Sequence, residues 1–402
     1  MFKKSIIFIS SFIIFISTSL YSFSFTSLPI WSQSIDTNSS PLIENYLNLE
    51  SESAILIEES TGQILYEKNS NTPLRPASVT KVMSILLIME SIKNGDISLD
   101  TPVPCSEKAS SMGGSQIWLS ETETLTVHEM LKAICIASAN DCTYALAEFI
   151  SGSEELFVQK MNERAKELGM KNTTFKNCHG LDEDGHLTTS YDIALMSREL
   201  LSKHPEIKEY TSTWTDTLRD GASKLINTNK LIRTYEGATG LKTGSTSLAL
   251  YNLSASATRN DLSLIAVIMK APTPKVRFSE AKILLDYGFN TYEYKLIGKK
   301  DALFNTVSIK KGTQDNLDLI YENDFGLLVK KKNSNNITQN IILNEEKMVA
   351  PIKKGDILGE INYQLEGEIL GSINLCSNVD IPKKSLINYF NFICKNWLNF
   401  LR

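Results

Sequence analysis

The sequence contains few of the residues that build metal sites and disulfide frameworks. It has four histidines and six cysteines among 402 residues, and no two cysteines follow the C-x-x-C spacing. A zinc site is therefore not expected, and six cysteines do not form a dense disulfide framework in a chain of this length. We expect most of the cysteines to be small buried side chains, and we expect neither a metal nor another cofactor.

The sequence also lacks a long basic stretch ahead of its last twenty residues, and its formal net charge is −5. These features argue against a nucleic-acid partner, because binding to a phosphate backbone depends on clustered Lys and Arg. Hydrophobic residues make up 42% of the chain and charged residues 22%, which fits a globular protein with a sizeable core. The length predicts two to three domains, and no internal repeat is evident.

The beginning of the chain has no charged residue between Lys4 and Asp36. Lys3 and Lys4 precede an almost wholly apolar run over residues 5–20. A short positive start followed by such a run predicts an export signal, which we place at residues 1–24. The protein is therefore expected to act outside the cytoplasm, at the outer face of the membrane.

The end of the export signal is not marked by an A-x-A sequence. Cleavage near Ser22 or Ser24 and retention as an uncleaved anchor are therefore both open. The residues that follow are rich in Ser, Thr and Asn, and we interpret residues 25–44 as a linker.

Residues 45–290 are predicted to form one domain of mixed helices and strands. The stretches 54–57 and 63–66 flank a Thr-Gly turn and predict a β-hairpin. Further strands are predicted over 251–257 and 262–269. Helices are predicted where apolar residues recur at steps of three and four, over residues 78–93, 127–136, 154–168 and 275–288. This order indicates an α+β fold rather than repeated βαβ units.

Two further segments follow that domain. Short apolar runs predict a small β-rich domain over residues 291–379. In residues 380–402, the apolar residues fall at steps of three and four and share one helical face: Leu386, Phe390, Ile393, Trp397 and Leu401. Because cationic residues lie near both ends, we predict an amphipathic helix that lies on a membrane surface, with a helix docked on the protein itself as the alternative.

The strongest local signal is a serine three residues before a lysine, in Ser78-Val79-Thr80-Lys81. On a helix this spacing places both side chains on the same face. A serine hydroxyl needs a base beside it to act as a nucleophile, and a buried lysine near a second cation can be that base. Alone, the pattern is weak, because a serine and an exposed lysine often have this spacing by chance.

Two further motifs make the pattern specific. Ser138-Ala139-Asn140 follows a predicted helix, and Lys242-Thr243-Gly244 begins the region of predicted strands. Together, in this order, the three motifs resemble the motif set of the serine penicillin-binding proteins and β-lactamases. More narrowly, the chain resembles the low-molecular-weight D-alanyl-D-alanine carboxypeptidases, peptidase family S11, a likeness that includes Arg75-Pro76-Ala77 and His179-Gly180-Leu181-Asp182.

The resemblance implies a fold, a reaction and partners. The fold is a β-lactamase/transpeptidase-like domain, in which helices flank an antiparallel sheet beside a helical subdomain, followed by a small β-rich domain. The reaction is removal of the terminal D-alanine from peptidoglycan pentapeptides in the cell wall. The implied partners are the stem peptide that ends in D-Ala-D-Ala, β-lactams as covalent inhibitors, and a membrane surface for the terminal helix.

The resemblance also implies roles for individual residues. Ser78 is the nucleophile, Lys81 accepts its proton, and Ser138 relays a proton towards the leaving amine. The backbone N–H groups of Ser78 and Ser245 form the oxyanion hole. The residues implied to bind the substrate are Asn140, Lys242, Thr243, Gly244, Ser245 and Arg277.

The roles of some of these residues stay open. Arg277 either binds the substrate carboxylate or is an exposed helix residue. Relatives often carry His or an aromatic residue at the Ser245 position, which leaves the deacylation rate open. His179 is expected to order a loop rather than to act as a base, and Gly113-Gly114-Ser115 to form a rim of the cleft.

Three alternative functions share these motifs. A β-lactamase would need a group that activates water, and no convincing Glu-x-x-x-Asn loop is found. A non-catalytic wall-binding protein would not need a nucleophile beside its base. An endopeptidase or a transpeptidase would use the same acyl-enzyme, so the motifs do not exclude either.

Overall fold

The computed structural model of the chain describes residues 47–387 and residue 390. The predicted export signal, the linker and most of the predicted terminal helix lie outside the described residues. Within the described part, no helix is both long enough and apolar enough to cross a membrane.

The strands of the described residues are, in chain order, β1 Ser53–Glu58, β2 Ile64–Lys68, β3 Pro102–Pro104, β4 Thr124–Thr126, β5 Thr215–Leu218, β6 Ser223–Ile226, β7 Ala238–Thr246, β8 Leu250–Arg259, β9 Leu262–Ala271, β10 Tyr292–Gly298, β11 Leu303–Ser308, β12 Asn316–Tyr321, β13 Phe325–Lys330, β14 Thr338–Leu343, β15 Ile357–Leu365 and β16 Glu368–Ser377. The α-helices of the same residues are α1 Lys81–Asn94, α2 Glu107–Ser110, α3 Val127–Lys132, α4 Asn140–Ser151, α5 Glu154–Glu167, α6 Ser190–Lys203, α7 Lys208–Thr211, α8 Leu231–Thr234 and α9 Pro274–Thr291.

Five antiparallel strands form the central sheet, in the order β2-β1-β9-β8-β7. The pairing of β1 with β9 brings the beginning of this region next to its end. Every side chain of β1 is buried, as expected for a strand that is covered on both faces. Strand β7 lies at the edge of the sheet, so the backbone groups on its outer side are free to meet other partners.

Two apolar cores lie on opposite faces of this sheet. Successive strand residues point to opposite faces, so Ile55 packs into the core that contains α1 and α3–α6, whereas Leu56 packs into the core that contains α9. The first core fixes the helices that carry two of the three motifs. The second holds α9 against the back of the sheet.

The chain continues from α9 directly into β10, and the remaining strands form a second sheet in the order β11-β12-β16-β15-β14. Strand β10 pairs with β13 in a separate two-stranded ribbon. A third apolar core belongs to this region and includes Leu319, Ile361 and Leu375. The predicted α+β class, with a β-rich region after the first sheet, is confirmed. The predicted domain limits stay predictions.

Candidate active site

Ser78 lies in a short helical turn that leads into α1. Residues 77–80 form a 3₁₀ turn, and Lys81 is the first residue of the α-helix. Ala77 has a φ of 49°, a left-handed conformation that residues with a Cβ atom adopt at a cost. Such backbone outliers are often found where the structure shapes a functional site. Lys81 Nζ lies 3.0 Å from Ser78 Oγ, so the pair predicted from the first motif is in hydrogen-bond contact.

The amine of Lys81 is fully buried and has two further partners. Nζ donates to Asn140 Oδ1 at 2.6 Å and to the main-chain oxygen of His179 at 2.6 Å. Both partners are acceptors, so in the neutral amine they fix the two N–H bonds and leave the lone pair towards Ser78 Oγ. Burial, and after it the charge of Lys242, holds the pKa of Lys81 well below its usual value. The geometry therefore places a buried amine with a lowered pKa beside the hydroxyl of Ser78.

The second motif is placed by a change of helix type. A capping box at Thr126 opens α3, which ends at Lys132 and is followed by a π-helical turn over Ala133–Ala137. Ser138 then takes a left-handed φ of 64°, which ends the turn and lets α4 begin in a new direction at Asn140. Such π turns are frequent at functional sites.

Asn140 has a single orientation because both ends of its amide are occupied. Its Nδ2 donates to the main-chain oxygen of Gly113 at 2.6 Å, and its Oδ1 accepts from Lys81. A Cβ atom at Gly114 would lie 2.7 Å from Asn140 Nδ2, so the glycine permits this approach. The predicted rim at residues 113–115 therefore contacts the site and fixes the side-chain amide of Asn140.

The third motif lies on the edge strand β7. Lys242 is almost wholly buried, and burial, opposed in part by Cys135, lowers its pKa to about 7. Its Nζ donates to the main-chain oxygen of Thr243 at 2.9 Å. The Thr243 hydroxyl in turn donates to Thr228 Oγ1 at 2.7 Å. The strand thus places an amine and a hydroxyl next to each other.

Gly244 brings the edge strand against the 3₁₀ turn of residues 77–80, which is called the nucleophile turn below after the predicted role of Ser78. A Cβ atom there would lie 2.8 Å from the oxygen of Pro76 and 2.9 Å from the nitrogens of Ser78 and Val79. Real Cβ atoms essentially never approach backbone atoms this closely. A glycine is therefore required for β7 to reach the backbone of Ser78, and Ser245 follows directly with an exposed side chain.

Arg277 is buried, with 7% of its surface exposed, so its interpretation as an exposed helix residue was wrong. From α9 its Nη1 donates to the main-chain oxygens of Gly244 at 3.2 Å and Asn252 at 3.1 Å. Its guanidinium lies 4.6 Å from the ring centre of Phe278. Burial lowers the pKa of Arg277 to about 10, so the group stays charged at neutral pH. Arg277 thus contacts the back of the strand that carries the third motif.

The segment that follows Lys176 is the part of the site that motif spacing did not reveal. Gly180 has a φ of 91°, and a Cβ atom there would lie 2.0 Å from the oxygen of Ala77. Ser84 Oγ donates to the main-chain oxygen of Cys178 at 2.5 Å. Through these contacts the segment packs against both the nucleophile turn and α1. The sequence His179-Gly180-Leu181-Asp182 marked this segment through its resemblance to the family. It did not indicate that the segment contacts the nucleophile turn and α1.

The ring of His179 contacts its own loop and Glu154. Its Nδ1 accepts from the backbone N–H of Leu181 at 3.2 Å, and its Nε2 lies 3.5 Å from a carboxylate oxygen of Glu154. Burial and the nearby Lys81 lower the pKa of His179 to about 3, so the ring is neutral at neutral pH. The ring orders its loop, as the sequence analysis expected, while the carbonyl of His179 holds Lys81.

The five cysteines within the described residues are buried with free thiols: Cys105, Cys135, Cys142, Cys178 and Cys376. Burial raises the pKa of Cys135 to about 12, so this thiol is unreactive at neutral pH. The prediction of small buried side chains is confirmed at these positions, and Cys394 lies outside the described residues.

Two family models match the chain. The model described as D-alanyl-D-alanine carboxypeptidase matches residues 37–273, and the model of the penicillin-binding protein 5 C-terminal domain matches residues 292–383. The D-alanyl-D-alanine carboxypeptidase DacF of Bacillus subtilis is 45% identical over 354 residues, which cover 87% of this chain and 91% of that protein.

Solved structures give the same result. Penicillin-binding protein 5 from Haemophilus influenzae is 30% identical with a TM-score of 0.72, and the match covers 83% of this chain and 98% of that one. Penicillin-binding protein D2 from Listeria monocytogenes, in its ampicillin-bound form, is 33% identical with a TM-score of 0.56 over 60% of this chain and 99% of that one. These matches confirm the function predicted from the three motifs. The chain belongs to the D-alanyl-D-alanine carboxypeptidase family.

Proposed function

We propose that the chain cleaves the bond between the two terminal D-alanines of peptidoglycan pentapeptides through an acyl-enzyme on Ser78. The observation that carries this proposal is the contact between the Ser78 hydroxyl and a buried amine, Lys81, whose pKa is lowered. A structural lysine does not need to be buried beside a half-exposed serine, because burying an amine costs free energy. A nucleophile and its base need this contact.

Acylation begins when Ser78 Oγ bonds to the carbonyl carbon of the penultimate D-alanine and its proton passes to Lys81 Nζ. The C–N bond then breaks, and Ser138, two residues before Asn140, relays a proton to the leaving amine of the terminal D-alanine. Asn140 holds the substrate amide while its Oδ1 orients Lys81. Water next attacks the ester, and the Ser78 hydroxyl regains its proton as the shortened peptide leaves.

The negative charge that develops on the carbonyl oxygen is held by the backbone N–H groups of Ser78 and Ser245. The absence of a side chain at Gly244 supports this assignment, because it lets the two N–H groups approach each other. The carbonyl of Gly244 belongs to the same peptide group as the Ser245 N–H and points the opposite way. By donating to that carbonyl, Arg277 holds the peptide group in the orientation that the oxyanion needs.

The terminal carboxylate of the substrate is bound by Lys242 and Thr243. Both side chains belong to the edge strand, and Arg277 supports that strand from behind through its hydrogen bond to Gly244. A β-lactam carries a carboxylate and a strained amide in a similar relation, so we expect it to acylate Ser78 and remain bound.

The domain limits and the location belong to the same proposal. We assign residues 45–290 to the catalytic domain and residues 291–379 to the β-rich domain. An export signal at residues 1–24 and an amphipathic helix at residues 380–402 would place the enzyme at the outer face of the cytoplasmic membrane, where its substrate lies.

The test is to incubate the purified protein with a pentapeptide that ends in D-Ala-D-Ala and to measure released D-alanine. Ser78→Ala should reduce the rate at least about a thousandfold, and penicillin should add its mass to the wild type but not to this variant. Ser91→Ala, in the helix α1 that follows the Ser78 turn but away from the motif, is the matched control and should behave as wild type. Release of D-alanine by Ser78→Ala at the wild-type rate would refute the proposal. Fast β-lactam turnover without D-alanine release would instead identify a β-lactamase.

A further inference from the structure

Trp118 combines two features that are unfavourable for folding. Among residues 47–291 it is the most exposed large apolar side chain, with 76% of its surface open to solvent. Its φ is 60°, in the left-handed region that bulky residues rarely adopt. Such an outlier persists only when the surrounding structure holds it, and outliers of this kind cluster at functional sites.

The surrounding structure does hold the backbone of Trp118. The N–H groups of its two neighbours, Ile117 and Leu119, both donate to the buried carboxylate of Asp141 at 3.1 Å. Arg219 donates from the other side, to the oxygen of Ile117 at 2.9 Å and to that of Trp118 at 3.3 Å. Both neighbouring side chains are buried in the core, so the indole is fixed outwards on a rigid backbone.

The same segment reaches the active site. The oxygen of Ser115 accepts from the N–H of Asn140 at 2.7 Å, and the oxygen of Gly113 accepts from its side chain. Trp118 follows three residues after Ser115, so it lies within about 10 Å of that contact. The indole therefore belongs to the rim of the cleft, close to Asn140, whose side chain contacts both the rim and Lys81.

The substrate is long enough to extend from Ser78 past Asn140 towards the rim segment. With the scissile carbonyl at Ser78, four peptide residues lie on the acyl side, and an extended chain of four residues spans about 13 Å. The sugar that carries the peptide in peptidoglycan comes next, and a peptide that runs past Asn140 towards residues 113–115 brings this sugar to Trp118. A rigid, exposed aromatic face suits the C–H face of a sugar ring, because it combines a large apolar area with little side-chain freedom to lose.

We propose that Trp118 is a platform on which the sugar end of the substrate stacks. This inference rests on the proposed function, and it adds a substrate class, since it makes the enzyme prefer peptides that carry their sugar. Asp141 and Arg219 are positioning residues in it, because they fix the rim that presents the indole. The nearby cleft residues process the D-Ala-D-Ala end in the same way with or without the sugar.

The experiment compares two substrates with the same pentapeptide, one free and one attached to its disaccharide. We expect the wild type to show a roughly tenfold higher kcat/KM for the disaccharide peptide, through a lower KM. Trp118→Ala should lose this preference and keep its kcat/KM for the free peptide and its penicillin acylation rate within about twofold. Trp118→Phe keeps an aromatic face and should retain part of the preference.

Leu248→Ala is the matched control, since Leu248 is another exposed apolar residue, at 57%, on the turn after β7. It should keep the full preference. Equal kcat/KM for the two substrates in the wild type would overturn the proposal, and so would an equal loss for both substrates in Trp118→Ala, which would indicate a peptide contact or a structural role. Failure of the proposed function is a different result, because neither peptide would then release D-alanine.

Discussion

The region that carries Ser78 and the β-rich region after Thr291 differ in what they bury. The first buries many ionisable side chains deep in its structure, among them Lys81, Lys242, Arg277, Asp141 and Glu280. Among the described residues beyond Thr291, Ser377 is the only polar side chain that is buried, and the core consists of Leu, Ile, Val, Ala and Tyr.

This difference indicates that the first region meets a requirement other than stability, which the β-rich region does not share in its described part. Burying an amine or a guanidinium costs free energy unless it is paired, so such groups accumulate only where something requires them. In the first region, two apolar cores on either face of the sheet supply the stabilisation that offsets this cost. The β-rich region has no such demand in its described part, and we expect its substitutions to affect stability more than catalysis.

The largest expected effect comes from a backbone contact at the turn that carries Ser78. Gly180→Ala would place a Cβ atom 2.0 Å from the oxygen of Ala77 and 2.9 Å from the nitrogen of Ser78. Because the nucleophile turn would have to move, we expect penicillin acylation to slow about a hundredfold or more, since a shift of about 1 Å at an active site has effects of this size. Acylation with a fluorescent penicillin measures the change.

Gly152→Ala is the control for the backbone conformation alone. Gly152 has a φ of 84°, close to that of Gly180, but no atom lies within 4 Å of its Cβ position. It should lose about 1 kcal/mol of unfolding free energy and acylate at the wild-type rate. Equal acylation by the two variants would show that the close approach at Gly180 does not matter.

A smaller effect on acylation is expected at Arg277. A variant of this residue can distinguish two roles, namely support of the edge strand and binding of the substrate carboxylate. Arg277→Ala removes the donor to Gly244, so we expect roughly tenfold slower acylation, as is common when a supporting hydrogen bond is lost. The loss should be the same for an acyl donor with a free carboxylate and for its methyl ester. A loss confined to the free carboxylate would instead assign Arg277 to substrate binding alone.

Arg198→Ala provides the matched control, because Arg198 also donates to two main-chain oxygens, those of Glu59 and Ser60, outside the site. It should lower the unfolding temperature without slowing acylation. Slower acylation in Arg198→Ala would mean that removing an arginine from either position disturbs the sheet. The slower acylation of Arg277→Ala would then not show a specific role of Arg277 at Gly244.

The sequence predicted most of the fold where periodicity was strong. The helix expected over residues 154–168 is Glu154–Glu167 with Ser153 as its N-cap, and the expected hairpin is β1 and β2. The helices α4 and α6 were not predicted. Buried polar residues at their beginnings weaken the apolar pattern: Asn140 in α4 contacts Lys81, and Asp192 in α6 accepts hydrogen bonds from Asn172 and Thr173.

The candidate site could be predicted as a set of residues but not as a set of contacts. Spacing along one helix was enough to pair Ser78 with Lys81, because three residues make one turn. The contacts of Gly180 and Gly244 join segments about a hundred residues or more away from the nucleophile turn in sequence, and a glycine alone does not indicate which backbone it admits. The burial of Arg277 likewise depends on how α9 packs, which local pattern does not determine.

The charge of Lys242 gives a prediction about pH. Because burial lowers its pKa to about 7, the amine is charged below this pH and loses its charge as the pH rises through it. We expect kcat/KM for the pentapeptide to fall on the alkaline side with a midpoint near pH 7. Lys242→Arg should have a severalfold lower kcat/KM, because an arginine does not reproduce the geometry of a lysine amine. Because the guanidinium keeps its charge, the alkaline fall in kcat/KM should occur at least about one pH unit higher than in the wild type.

Lys270→Arg is the control, since Lys270 is partly exposed and paired with Glu52 at 2.6 Å. Its pH profile should match the wild type. If Lys242→Arg and the wild type lose activity at the same pH, the alkaline limb belongs to another group, and the charge of Lys242 is not what the substrate requires.

The smallest effect on acylation is expected in the β-rich region itself. Leu375 and Leu86 are both fully buried, the first in the core of the second sheet and the second on α1. Each Leu→Ala substitution should cost about 2–5 kcal/mol of unfolding free energy, but only Leu86→Ala should slow penicillin acylation, because α1 carries Lys81. Thermal unfolding and acylation at 25 °C measure the two effects. If Leu375→Ala slows acylation as much as Leu86→Ala does, the two regions are coupled, and the contact of Lys331 Nζ with the oxygen of Phe289 at 2.8 Å is the first link to remove, because it joins the β-rich region to α9 and so to Arg277.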